Sequence, residues 1–444
     1  MTVKGFSLYI CLALCFGVAA VAQTPADTVV KPNNLDIGLN IMLHGETRHG
    51  GLPRSDDESG VEQQPKNSAN FLLERTRLSI DYSRDIIQAR VMAQNQAIWG
   101  AKGNTTLSLY EAWAKLRYRG AFLQVGRMPL VYDDERILGA NDWSMAGKSH
   151  DLMRIGYEGH GHKVHALLAY NQNPENINGG SFYKDGAQIY KTMHTLWYHY
   201  DLPRIPLGAS LLVMNIGMQG GVDAGEVRTR YQQLIGAYAR FTPKHWEAEA
   251  SYYRQMGQDE GGITIKAWMM AFKGDYHPTT RYGFTAGYDY LSGDPYFAVP
   301  PHGGVGMTRH DVIKGFNPIY GSHHKFYGAM DFFYVTTYVN GFSPGLQNAY
   351  FGAYIRPVDR LQLGLKGHYL AMATKLPDVD RTLGYEFEFD LSLQIIRDVK
   401  FTAGYTYMKG SKTMAFLKRT SGDGHLHWGW FSLTFSPKIF SFKW

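Results

Sequence analysis

The sequence predicts an all-β chain: a single transmembrane antiparallel β-barrel of about 18 strands (16–20) following a cleaved signal peptide. Three observations carry this. Apolar and polar residues alternate at period two in segment after segment, which is the strand period. No apolar run near the ~20 residues of a spanning helix follows the N-terminal region. The chain closes on alternating aromatics, Phe440, Phe442 and Trp444. The 30 Tyr and 49 Gly among 444 residues suit strands and turns better than helices.

The first 22 residues read as the leader. Lys4 gives a positive start, 5–18 an apolar stretch, and Ala20-Val21-Ala22 a small-residue cleavage site before Gln23. Both cysteines, Cys11 and Cys15, lie there, so the expected mature chain, 23–444, is one barrel domain without disulfides. Losing Lys4 reduces the formal net charge from +6 to +5, too slight an excess to argue for nucleic acid.

The strand candidates then follow in order. In 35–43, Leu35, Ile37, Leu39, Ile41 and Leu43 share one side. In 71–85, Leu72, Thr76, Leu78, Ile80 and Tyr82 oppose Arg75, Arg77, Ser79 and Asp81. After a tight turn at Arg84-Asp85, Ile87, Ala89, Val91 and Ala93 oppose Gln88, Arg90, Gln94 and Gln96. In 110–118, Tyr110, Ala112, Ala114, Leu116 and Tyr118 oppose Glu111, Trp113, Lys115 and Arg117. A turn at Arg119-Gly120 leads to Ala121, Leu123 and Val125. The same alternation returns over 162–171, 229–241, 246–255, 282–290, 383–395 and 399–407. The stretch 189–200 is amphipathic at neither period, and 292–345 is long, rich in Gly, Pro and His, and poor in strand signals. That stretch is expected to be a long loop folding into or over a pore.

Alternation alone fits a soluble sandwich, apolar face inward, or a membrane barrel, apolar face toward lipid. The barrel is favoured by the leader, by the missing domain linkers and by Tyr and Trp at strand ends, where a half-wet ring suits a bilayer interface. The location expected is the bacterial outer membrane. Polar faces then line a wet lumen. The early strands supply Arg75, Arg77, Arg90, Lys115, Arg117 and Arg154, with Glu111 and Glu158 among them; Glu247, Glu249, Glu386, Glu388 and Asp390 come mostly later. A cationic wall attracts anionic solutes, and a guanidinium pairs with a carboxylate through two parallel hydrogen bonds.

The stretches RTRLSIDY, EAWAKL, VGRMPLVYDDERILGANDW, SHDLMRIGYE and FNPIYGSHHKFYGAMD are similar to the alginate-export family of outer-membrane β-barrels. In the family pattern a strand ending in Gly-Arg runs to an Asp-Arg-hydrophobic-Gly segment with a following Trp. A further Asp then precedes a strand carrying Arg. The matching residues are Gly126, Arg127, Asp133, Arg136, Gly139, Trp143, Asp151 and Arg154. The resemblance is dense over 70–158 and looser elsewhere. It implies an 18-stranded porin whose arginine-rich constriction passes an anionic uronate polymer, and periplasmic export or uptake partners. Arg127 falls on the apolar parity of its strand, so a bulge or the strand end must turn it inward, or it lies in the loop.

The expected solute-contacting set is therefore Arg75, Arg77, Arg90, Glu111, Lys115, Arg117, Arg127, Asp133, Arg136, Asp151 and Arg154. The partners expected are outer-membrane lipid and an anionic or polar saccharide. The rival reading is a barrel with a blocked lumen acting as a surface enzyme or glycan binder. Catalytic signals are weak: Ser149-His150-Asp151 are strand neighbours that point to opposite faces, and no G-x-S-x-G is present. His160, His162 and His165 lack the spacing of a metal site, so no metal or cofactor is expected.

Overall fold

The computed structural model describes residues 32–50, 68–103, 105–172, 190–220, 228–294, 312–331, 343–376, 379–418 and 424–444. The expected leader and most of 292–345 lie outside the described residues. In chain order the strands are β1 (Asn34–His49), β2 (Ser68–Arg84), β3 (Ile87–Ile98), β4 (Thr105–Tyr118), β5 (Ala121–Met128), β6 (His150–Gly159) and β7 (His162–Tyr170). There follow β8 (Thr192–Asp201), β9 (Leu207–Gly220), β10 (Arg228–Phe241), β11 (Trp246–Gln258), β12 (Thr264–Tyr276), β13 (Tyr282–Leu291) and β14 (Val312–Ile313). The last are β15 (Leu346–Val358), β16 (Leu361–Ala371), β17 (Thr382–Ile396), β18 (Val399–Gly410), β19 (His425–Phe435) and β20 (Lys438–Lys443). One short helix, α1 (Lys412–Lys418), lies between β18 and β19.

Each wall strand pairs antiparallel with the next, β13 pairs with β15, and β19 and β20 both pair with β1 to close the barrel. β19 and β20 are two halves of one wall strand, interrupted at Ser436-Pro437, where proline has no N–H to donate. β14 belongs to the inserted segment and pairs in parallel with the start of β12. The wall therefore has 18 strands.

The turns sort by length. Two-residue connections such as Arg119-Gly120 and His160-Gly161, both residues at positive φ, sit at the end that also holds Asn34 and Lys443. The connections longer than five residues all lie at the other end. In outer-membrane barrels short turns are periplasmic and long loops extracellular. Leu78, Val91, Leu116, Leu211, Ile235, Phe272, Leu365 and Phe387 are exposed on the outer face, as lipid contact requires. Tyr157, Trp246, Phe442 and Trp444 mark the periplasmic rim; Trp99, Tyr170, Tyr231 and Tyr385 mark the extracellular one.

The lumen divides at mid-height. Toward the periplasm the inward positions are charged: Lys273 and Asp275 on β12, Glu388 and Asp390 on β17. Toward the outside they are apolar and buried: Ile265, Ala267 and Met269 on β12, Met193 on β8, Leu370 on β16 and Met408 on β18. This apolar half packs against Leu130, Ile137, Leu138, Phe316 and Tyr327 of two connections folded into the bore. Here alternation fails because both faces of a strand are apolar, which is why 189–200 showed no period.

Two positions differ from the expected faces. Met92 pairs with Glu111 and Ala93 with Leu109, so Tyr110 is the extra residue of a bulge and turns inward. A second irregularity, between Leu370 and Ala371 opposite β17, leaves Leu383 fully buried rather than on the outer row.

Candidate functional site: two clasped loops above a charged vestibule

The β5–β6 connection, 129–149, and the segment 312–331 meet inside the barrel. Gly139 donates its N–H to the Tyr320 carbonyl (3.1 Å), and Ser322 donates to the Glu135 carbonyl (2.9 Å). Lys148 Nζ donates to the Gly321 carbonyl (2.7 Å), and Ser322 Oγ to Glu135 Oε2 (2.7 Å). Glycine is required on both sides of this clasp. A Cβ at Gly321 would stand 2.2 Å from the Arg136 carbonyl oxygen, and one at Gly139 would stand 2.4 Å from Ser322 Oγ.

The clasp is anchored around the wall. Arg136, 3% exposed, is held by Asp134 Oδ2 (3.0 Å) and by Asp289 Oδ1 of β13 (2.7 Å), and lies 3.9 Å over the Phe326 ring. Burial works against its charge, but the Asp289 and Asp134 carboxylates outweigh burial and hold its pKa high. Asp133 accepts from Trp197 Nε1 of β8 (3.0 Å). Gln255 of β11 exchanges hydrogen bonds with the Asn317 backbone (2.7 and 3.1 Å). Glu386 and Glu388 of β17 accept from the Ala329 N–H (2.6 and 2.9 Å). On the far side Trp143 stacks on His324 (4.1 Å) and meets His44 and Trp430 edge-on. Burial and the nearby Lys148 lower His323 to about 4, and burial lowers Lys148 to about 8.

Arg75 and Arg77 do face the lumen, but they do not present bare cations to it. Arg75 Nη1 (3.1 Å) and Arg77 Nη1 (2.5 Å) both bind Asp142 Oδ1, and Arg77 is stacked on Tyr110. Their side chains are 1% and 8% exposed while that of Asp142 is 56% exposed. At this height the inserted loop presents an exposed carboxylate backed by two buried guanidinium groups.

Below the clasp lies the vestibule. Arg90 pairs with Asp81 and Glu111 (3.4 Å each), and Glu111 accepts from Trp113 Nε1. Lys115 sits 4.0 Å over the Phe122 ring, and Arg117 pairs with Glu158 (3.1 Å). Arg154 donates to Gln124 Oε1 (2.5 Å) and to Tyr132 Oη (3.4 Å). Around the wall Arg240 pairs with Glu247 and Glu249, Lys273 with Asp275, and Lys366 with Glu388. Among the described residues, Arg75 Nε, Arg77 Nη2, Arg136 Nη1 and Arg154 Nε have no protein acceptor.

Two members of the expected set stand apart. Arg127 and Asp151 pair through two hydrogen bonds (2.8 and 2.7 Å), but on the outer face, where strict alternation from Val125 places Arg127. The bulge that turns Tyr110 inward is on β4 and does not re-aim β5. Ser149, His150 and Asp151 form no triad: Ser149 donates to the Tyr110 carbonyl, His150 packs on Tyr190 inside, and Asp151 is outside. Sequence reasoning missed Asp142, Asp134, Glu135, Lys148 and Asp289. Asp134 and Glu135 adjoin the residues noted at 133–136, but nothing local pairs Arg136 with Asp289, 153 residues away.

A family model described as alginate export matches residues 54–368, a span that contains both clasped loops and most of the wall. The chain belongs to the alginate-export family. This family member is a bacterial outer-membrane β-barrel. It is similar in structure to Acinetobacter baumannii OccAB1, with a TM-score of 0.60 at 13% identity over 91% of this chain and 97% of that one. Pseudomonas aeruginosa OccK3 (OpdO) gives 0.59 at 13% identity, over 91% and 96%. Pseudomonas aeruginosa OccK2 (OpdF) gives 0.59 at 10% identity, over 91% and 98%. At such identities the likeness concerns the fold. No curated protein matches the sequence.

Proposed function

We propose that this alginate-export family member is a passive channel for polar or anionic solutes, acidic oligo- or polysaccharides being the preferred class. The observation that carries the proposal is the vestibule, where Arg90, Lys115, Arg117 and Arg154 gather on one wall beneath the clasp. Fixed charges partly compensated by Glu111 and Glu158 hold a solute weakly enough to release it. Arg127 and Asp151 take no part, and Arg75 and Arg77 act through Asp142. The signal peptide at 1–22 and periplasmic partners complete the proposal.

The test is uptake into proteoliposomes of acidic and neutral oligosaccharides of equal length. The acidic one should enter faster, and the preference should fall when Arg90, Lys115 and Arg117 are all changed to Gln. Equal uptake of both by the unaltered protein rejects the anionic class. A second reading is favoured by the clasp itself: two loops spanning the bore suit a closed barrel that binds glycans at its surface. It predicts glycan binding without uptake of either sugar.

A further inference from the structure

The outer wall carries a cluster that the lumen does not use. At the extracellular ends of β18, β19 and β1, the lipid-facing positions are Tyr405, Tyr407 and Lys409, then His425 and His427, then His49. Tyr407 Oη lies 2.6 Å from His425 Nδ1, and Tyr405 Oη lies 2.6 Å from His427 Nδ1. His49 Nδ1 meets Ser68 Oγ (2.8 Å), and the Lys409 ammonium reaches His425. One ammonium and three imidazoles thus share one sector of the rim, their rings oriented by hydroxyl groups.

Directly beneath is an open groove of about 670 Å³, lined among others by Gly45, Thr47, Leu72, Trp99, Gly429 and Phe431. Its floor includes Gly429, a lipid-facing position with no side chain, while the Phe431 ring and Leu72 lie over Gly45. Gly429 pairs with Thr47 and Gly45 with Phe431, while the next outward pair above is His49 with His427. Two residues of strand separate the groove from the basic rim, a rise of ~7 Å. At the groove's edge Trp99 Nε1 donates to Glu74 Oε2 (3.1 Å). That carboxylate disfavours an anion on its side and leaves the histidine–lysine side for a phosphate.

We infer that this sector binds a phosphorylated glycolipid of the outer leaflet, with an acyl chain in the glycine-floored groove and a phosphate on Lys409, His427 and His49. A free phosphate would have no use for the groove. A soluble partner would have to displace lipid from a face flanked by the exposed apolar side chains of Phe431, Phe435 and Phe387. The chemistry is charge-assisted hydrogen bonding at the rim combined with apolar contact below.

The experiment is native mass spectrometry of the protein purified from outer membranes in mild detergent. The unaltered protein should retain the glycolipid. The double variant Lys409→Ala/His427→Ala should lose at least about tenfold in occupancy, as should Gly429→Leu, which fills the groove. Arg127→Ala/Asp151→Ala, which removes a neutral outward pair from another sector, should retain it fully. Should Gly429→Leu fail to assemble, the double variant decides alone. Adding back the same glycolipid with its phosphates removed should restore no more than about a tenth of the occupancy. Unchanged retention in the double variant, or equal binding of the dephosphorylated lipid, overturns the inference. Neither result bears on solute passage.

Discussion

Asp142→Asn separates a bore governed by bare arginines from one governed by a shielded pair. In the structure one carboxylate, 56% exposed, neutralises half the charge of Arg75 and Arg77 behind it. Removing that charge takes the local sum from +1 to +2 without altering shape. For an ion passing ~8 Å away in dilute salt, at an effective dielectric of ~40, one unit charge is worth about 1 kcal/mol. That corresponds to roughly a fivefold gain in anion occupancy and a similar loss for cations. Because Asp142 is more than half in water, the stability cost should fall well below the ~3–5 kcal/mol of breaking a fully buried pair. The assay is the reversal potential across a planar bilayer under a potassium chloride gradient. A shift toward the anion potential is expected. No shift, or a shift toward the cation potential, would show that Asp142 does not face the ion path.

The clasp yields three further expectations. Gly321→Ala places a methyl 2.2 Å from the Arg136 carbonyl. The three loop–loop hydrogen bonds that flank it should be lost, at about 1 kcal/mol each, seen as faster amide exchange over 135–139 and 320–322 with the wall unchanged. Arg136→Met leaves Asp134 and Asp289 buried without their cation, which should cost ~3–5 kcal/mol and free the β5–β6 connection to limited proteolysis. Acid should loosen the clasp through His323. Its folded pKa of about 4 lies below the ordinary 6.5, so the released loop binds more protons between those values. Clasp stability should accordingly rise with pH from about 4 to 6.5 and be lost on acidification, by up to ~3 kcal/mol. Trp143 fluorescence should report that step, and His323→Gln should abolish it.

The wall was legible because lipid outside and water inside impose opposite demands on adjacent residues. Over β2, β3 and β17 the alternation assigns nearly every face correctly, with Leu383 the exception. It fails on β8 and on the upper half of β12, where Met269 and Ala271 pack on the inserted loops while Met270 and Phe272 lie on the opposite face. Burial on both sides leaves no period to read. Tyr110 was misassigned because a bulge adds one residue and so reverses a face. The arginines were found, but their environment was not: Asp142 reaches Arg75 from 67 residues away, through a loop whose path depends on glycine contacts between two distant segments.

Single-channel recording of the purified, folded protein tests the central claim most directly. A water-filled path past the clasp predicts steady conductance with a preference for anions, which diminishes when Arg90, Lys115 and Arg117 are neutralised together. Electrical silence at every voltage from a barrel shown to be folded, or the same selectivity with and without those three charges, would contradict it.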